Sequence, residues 1–180
     1  MIKFNTHLIV FLFIVINSIA QNTYSDTIKL QANLFVQATK ENDFKTIVNY
    51  TNPKLVELLG GKDSLYVKIS NSMVLLQQEG LRYKSIELDI FKIIKTNKNL
   101  WYAVIPQKII QINSQGQIIT ETFLFATSIN QGENWFFMDE ERFRKYKDTL
   151  FEKVQIELEC PEKNQCFIKN KGFTSLNKPN

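Results

Sequence analysis

Histidine is nearly missing from this chain, and that shortage excludes more chemistry than any residue present invites. The only histidine among 180 residues is His7. It falls in a leader-like N-terminus, so the rest of the chain has no imidazole base, no histidine to activate a nucleophile and no histidine metal ligand. Cysteine is also scarce, with Cys160 and Cys166 alone. Two thiols with no other soft ligands do not make a zinc site, so neither a metal nor a cofactor is expected. No arginine-rich strip with interleaved aromatics occurs, which disfavours nucleic acid as a partner. There is no internal repeat and no low-complexity segment.

What is present begins with a three-part N-terminus. A short start carrying Lys3 leads into an unbroken apolar run, residues 8–16, followed by Asn17-Ser18-Ile19-Ala20-Gln21. The run is too short for a bilayer, which takes about 20 residues. The pattern is that of a signal peptide cut after Ala20. Residues 1–20 would be lost, and the protein would work in a periplasm or outside the cell, with no stable membrane insertion after cleavage. The remaining 180 − 20 = 160 residues suit one domain with a proper core. Losing Lys3 takes the charge from +4 to 21 − 18 = +3. Basic and acidic residues are interspersed, as on an ordinary solvated surface.

Residues 83–138 read as four strands: 83–95, 100–113, 117–129 and 134–138. Ile, Val, Phe, Tyr, Trp and Thr crowd them, as suits a pleated surface. Ile86, Leu88 and Ile90 share one face by alternation. In the third strand Phe123 and Phe125 face away from Thr122, Leu124 and Ala126, so both faces need covering. Asn97-Lys98-Asn99, Ser114-Gln115-Gly116 and Asn130-Gln131-Gly132 are the turns, rich in residues that tolerate positive φ. Three successive hairpins make an antiparallel meander. Pro106 cannot donate to a ladder and marks an edge, a bulge or a sharp bend in a curved sheet.

Helices flank the meander. Ile28, Ala32 and Phe35 place one over residues 27–40, with Ser25 or Asp26 as its cap. Phe44, Ile47 and Val48 mark a short second helix. Asn52-Pro53 starts a third, which Gly60-Gly61 ends. Asp63 or Ser64 then caps a helix to about Glu79, striped by Leu65, Ile69, Met73 and Leu76 and stopped by Gly80. A last helix is expected over about 140–151, and a short edge strand over 154–158. The order gives an α+β fold, with helices packed on an antiparallel sheet.

Several patches resemble secreted bacterial members of the nuclear transport factor 2-like (cystatin-like) superfamily. They are Asn42-Asp43-Phe44, Tyr50-Thr51-Asn52-Pro53-Lys54-Leu55-Val56, Leu59-Gly60-Gly61-Lys62, Tyr102-Ala103-Val104-Ile105-Pro106 and the stretch from Ser128 to Asp139. With the order of elements, they cover roughly residues 27–151. The resemblance implies a cone: a curved meander, N-terminal helices in its concave face, a C-terminal helix, and often a pocket between the long helix and the sheet. Some members are isomerases or dehydratases and others only bind; catalytic ones use an Asp/His or Asp/Tyr arrangement in the cone. Without histidine the first cannot operate here. Residues 160–180 depart from the pattern and form a separate tail after a domain over 21–159.

Candidate pocket residues are Tyr102, Trp135 and Phe137 with an acid from Asp89, Glu121 or Asp139. A desolvated carboxylate among aromatics can act as a base beside a carbonyl. The plainer expectation is core aromatics, solvated acids and a helix cap at Asp139. In an exported chain Cys160 and Cys166 are expected to form a disulfide, closing a short loop worth about 2–2.5 kcal/mol. The functional expectation is therefore an exported, non-catalytic domain binding a small apolar ligand or a protein partner. The alternatives are a carboxylate-based isomerase or lyase, and a structural homodimer.

Overall fold

A computed structural model of the protein describes residues 6–91, 93–95, 100–151 and 164–169. Four helices come first: α1 (Thr6–Glu41), α2 (Phe44–Tyr50), α3 (Pro53–Leu58) and α4 (Gly61–Gln78). The strands β1 (Arg82–Leu88), β2 (Ile93–Lys95), β3 (Trp101–Ile112), β4 (Gly116–Ser128) and β5 (Phe136–Asp139) follow, then α5 (Glu140–Leu150) and β6 (Asn164–Lys169). The fold is α+β, with a curled antiparallel sheet. Its strand order is β1-β3-β4-β5, with β2 also on β3 and β6 also on β4.

The β3–β4 hairpin is the spine of the sheet. Its register runs without a shift from Trp101↔Ser128 to Ile112↔Gln117. At the tip, Asn113 Oδ1 accepts the backbone N–H groups of Gln115 (2.9 Å) and Gly116 (3.0 Å), which closes the expected turn. Pro106 sits inside this ladder, opposite Phe123, without a bulge. The Pro106 carbonyl accepts from Asp89 N at 2.9 Å. In a strand, the N and C=O of one residue point the same way, so the missing N–H also faces away from β4. The interruption expected at Pro106 therefore falls on the neighbouring strand. Residues 83–95 form two strands, not one, and Ile90 lies between them, 89% exposed rather than in line with Ile86 and Leu88.

Alternation makes the hairpin apolar on both faces over half its length. Trp101, Ala103, Ile105, Leu124 and Ala126 face one way and pack with Ile28, Ala32 and Val36 of α1. Tyr102, Phe123 and Phe125 face the other way and pack with Leu55 of α3 and Phe143 and Leu150 of α5. The helix laid against this half of the sheet is thus α1, one of the N-terminal helices expected against it. α4 packs against α2 and α3 and buries only Leu65 fully. Several further boundaries differ from expectation. With no glycine or proline in its 36 residues, α1 runs on past Ser25 and Asp26, which therefore cap nothing. α4 starts at Gly61 behind left-handed Gly60, ahead of the expected caps Asp63 and Ser64. Asp43, Asn52 and Asp139 cap α2, α3 and α5 through side-chain oxygens. β6 lies at Asn164–Lys169, whereas the strand expected over 154–158 and the turn at 97–99 fall outside the described residues.

The β4–β5 turn locks α1 to the sheet. Gln31 Nε2 donates to the Glu133 carbonyl (3.1 Å), and its Oε1 accepts Trp135 N–H (2.7 Å). Trp135 Nε1 donates to the Gly132 carbonyl at 3.0 Å. Gly132 has φ +91°, and a Cβ there would meet the Trp101 ring at 2.7 Å; Gly61 has φ +89° with nothing within 4 Å. Gly132→Ala is expected to lower stability by about 2–4 kcal/mol, and Gly61→Ala by about 1 kcal/mol. Urea unfolding of the two variants compares them. Equal losses would show that the indole does not press on this turn.

Candidate functional site

The face that α1 covers changes character along the hairpin. After Ile105 the same alternation places Gln107, Ile109 and Gln111, and before Leu124 it places Thr122 and Thr120. These residues pair across the ladder, Gln107 with Thr122 and Ile109 with Thr120. They floor a recess of about 800 Å³. Leu76 of α4 and Tyr83 of β1 form one wall. Asp139, Glu140, Glu141, Arg144 and Lys145, around the start of α5, line it too, as does Gln165 of β6. A volume of this size falls in the range of small-molecule sites.

Tyr83 reaches the recess because the strand slips. Plain alternation from Ile86 and Leu88 puts Tyr83 on the opposite face. A register shift between Tyr83 and Ser85 instead sets Tyr83 across from Gln111, a lining residue. Re-aiming one side chain is what a bulge does. Burial, then the nearby Asp139 carboxylate, raises the Tyr83 pKa above its ordinary 10.0. Both causes disfavour the phenolate, so the hydroxyl keeps its proton and remains a donor.

Two of the three acids lining the recess, Asp139 and Glu140, are already engaged, and the third, Glu141, is exposed. Asp139 Oδ1 accepts Arg142 N–H at 2.8 Å, and Oδ2 pairs with the Arg142 guanidinium. Glu140 is only 5% exposed. Its Oε2 accepts from the Thr122 hydroxyl, and its Oε1 accepts from Arg144 Nε at 2.7 Å. Each inward carboxylate oxygen therefore has a donor of its own. Among the described residues no group of three or more His, Cys, Asp or Glu is placed to hold a metal ion.

The residues singled out from sequence do not assemble into one pocket. Trp135 and Phe137 are fully buried on the α1 face, within a filled core. Tyr102 is buried on the other face, among Phe123, Phe125 and Phe143. Asp89 and Glu121 are exposed and share a smaller groove of about 490 Å³ with Glu87 and Lys108. Of the named acids only Asp139 enters the main recess, as the α5 cap. Gln107, Gln111, Thr120 and Thr122 were missed, although their phase with Ile105 and Leu124 was readable. Cys166 is a free, exposed thiol on β6; its expected partner Cys160 lies outside the described residues.

An α+β cradle with a hydrogen-bonding recess is the class that fold and site define. No protein-family model matches the chain, and no curated protein matches it. No helix among the described residues is long and apolar enough to cross a membrane.

The Tyr83 shift has a definite sign. The unfolded phenol loses its proton near pH 10, while the folded one holds it to higher pH, so stability falls as pH rises from there through the folded pKa. Wild-type protein is expected to lose stability above pH 10 more steeply than Tyr83→Phe. Denaturation at pH 9 to 11 measures this, and parallel curves would contradict it.

Proposed function

We propose that this chain is an exported, non-catalytic domain of the nuclear transport factor 2-like superfamily that binds a small molecule in the recess beside α5. The engagement of its inward carboxylates carries this reading: a recess of ligand size whose Asp139 and Glu140 are held by Arg142, Thr122 and Arg144 is equipped to hold a molecule rather than to take a proton from one. With Gln107, Gln111, Thr120 and Thr122 on the lining, the ligand carries polar atoms as well as apolar ones. The superfamily assignment is supported by the curled antiparallel sheet with an N-terminal helix across one face.

A carboxylate-based isomerase or lyase is the second reading. Its support is the Tyr83–Asp139 pair, an Asp/Tyr arrangement at the recess. To serve as a base, Asp139 must first release Arg142. A homodimer packed sheet to sheet has less support, since α1 covers one face of the apolar half of the hairpin and α3 with α5 the other.

Native mass spectrometry of protein purified from its own cells is expected to find one small molecule per chain. Gln111→Trp, which fills the recess, is expected to lose it without loss of folding. Retention by the filled variant would overturn the site.

Export belongs to the same proposal. The described core contacts of α1 start at Tyr24, whose ring meets Trp101 edge-on at 4.9 Å, so a cut after Ala20 leaves them all in place. N-terminal sequencing of protein recovered outside the cytoplasm is expected to begin at Gln21. A start at Met1 would contradict cleavage.

A further inference from the structure

Two buried side chains at the floor of the recess have hydrogen-bonding capacity that the protein leaves unused. Gln107 is 7% exposed and Thr120 is 8% exposed, and both line the recess. Thr122, beside them, is taken up by Glu140. The side chains of Gln107 and Thr120 have no hydrogen-bond partner among the described residues. Among the described residues the fully buried side-chain polar atom without a partner is Asn42 Oδ1, so the unpaired Gln107 carboxamide is not sealed off but opens onto the recess, where a ligand can meet both its donor and its acceptor. Its neighbours on that face, Ile105 and Leu124, are buried hydrocarbons.

The chemistry of these groups specifies what would satisfy them. A glutamine amide presents an N–H donor and a carbonyl acceptor side by side. A carboxylate offers acceptors only, and an ammonium donors only, so each leaves half of Gln107 unmet. Charge points the same way. Asp139 and Glu140 are neutralised by Arg142 and Arg144, and the remaining charged lining residues, Glu141 and Lys145, are opposite in sign. An ion entering the recess meets no net counter-charge. Tyr83 adds a hydroxyl that keeps its proton, Thr120 adds a donor-acceptor hydroxyl, and Leu76 and Ile109 give an apolar wall.

We propose that the recess recognises a neutral ligand with a carboxamide or lactam edge, which pairs donor to acceptor and acceptor to donor with the Gln107 side chain. Thr120 and Tyr83 take the remaining polar atoms of the ligand, and Leu76 and Ile109 pack against the ring or chain that carries the amide. This rests on the reading of the recess as a ligand site and adds the ligand's class to it.

Three probes of one size and shape separate the two claims: benzamide, benzoate and benzylamine. Each is titrated into the full ¹⁵N-labelled chain, following the Gln107 side-chain NH₂ and the backbone amides of Gln107, Gln111 and Thr120. Benzamide is expected to shift these signals saturably, with benzoate and benzylamine weaker by about tenfold or more, because a site built for one hydrogen-bond pattern rejects its mismatch. Gln107→Leu removes the benzamide response while the rest of the spectrum stays that of the folded protein. Gln107→Glu, which exchanges the donor for a charge, moves the preference to benzylamine. A preference of the unaltered protein for benzoate or benzylamine at these signals overturns the amide assignment and leaves the recess standing as a ligand site. No response to any probe in a folded sample removes the recess and this proposal together.

Discussion

Everything in this structure answers to the two-sided apolar half of the β3–β4 hairpin. Phe123 and Phe125 point one way, and Leu124 and Ala126, alternating with them, point the other, all at most 2% exposed. A strand of this composition is unstable against water on either side, so two separate layers must form. α1 supplies Ile28, Ala32 and Val36 for one face, and α3 and α5 supply Leu55, Phe143 and Leu150 for the other. Asn52 ties these layers together. Its Oδ1 caps α3, and its Nδ2 donates to Thr127 Oγ1 of β4 at 2.9 Å. The Gln31 amide does the same for α1 and the β4–β5 turn.

The recess follows from where that apolar half ends. Beyond Ile105 and Leu124, the α1 face of the hairpin carries Gln107, Gln111, Thr120 and Thr122, which no longer call for a hydrocarbon cover. Here the gap between β5 and β6 along β4 admits the first turn of α5. β5 pairs with Leu124 to Thr127 and β6 with Gly116 to Glu121, leaving Thr122 and Phe123 between them. Glu140 enters at that point to accept from Thr122. One position along, Phe123 faces the opposite side and packs edge-on with Phe143 at 5.8 Å. A polar recess and an aromatic core thus sit back to back on adjacent residues.

Much of the architecture was legible because it rests on local chemistry. Asn52-Pro53 started a helix, Asp139 capped another, Ser114 to Gly116 made a turn, and the third strand required cover on both faces. The misreadings had non-local causes. Pro106 constrained the strand beside it rather than its own ladder. That helices cover the sheet was legible, but which of the N-terminal helices does so was decided by docking, through Gln31 and Trp101, which helical periodicity does not encode. The site was read from conspicuous residues, and Trp135, Phe137 and Tyr102 proved to be core. Gln107 and Thr120 were inconspicuous by type and informative only by phase. Tyr83 was hidden outright, since a bulge inverts the alternation that would have located it.

Backbone hydrogen exchange along the hairpin tests the central claim most directly, because it reads cover residue by residue. Amides of residues 101–105 and 123–127, with helices on both faces, are expected to exchange only through global unfolding. Amides of residues 107–111 and 118–122, beside the recess, are expected to exchange faster, through local opening. Uniform protection along both strands, or faster exchange at the aromatic end, would contradict a hairpin sealed over one half and open over the other.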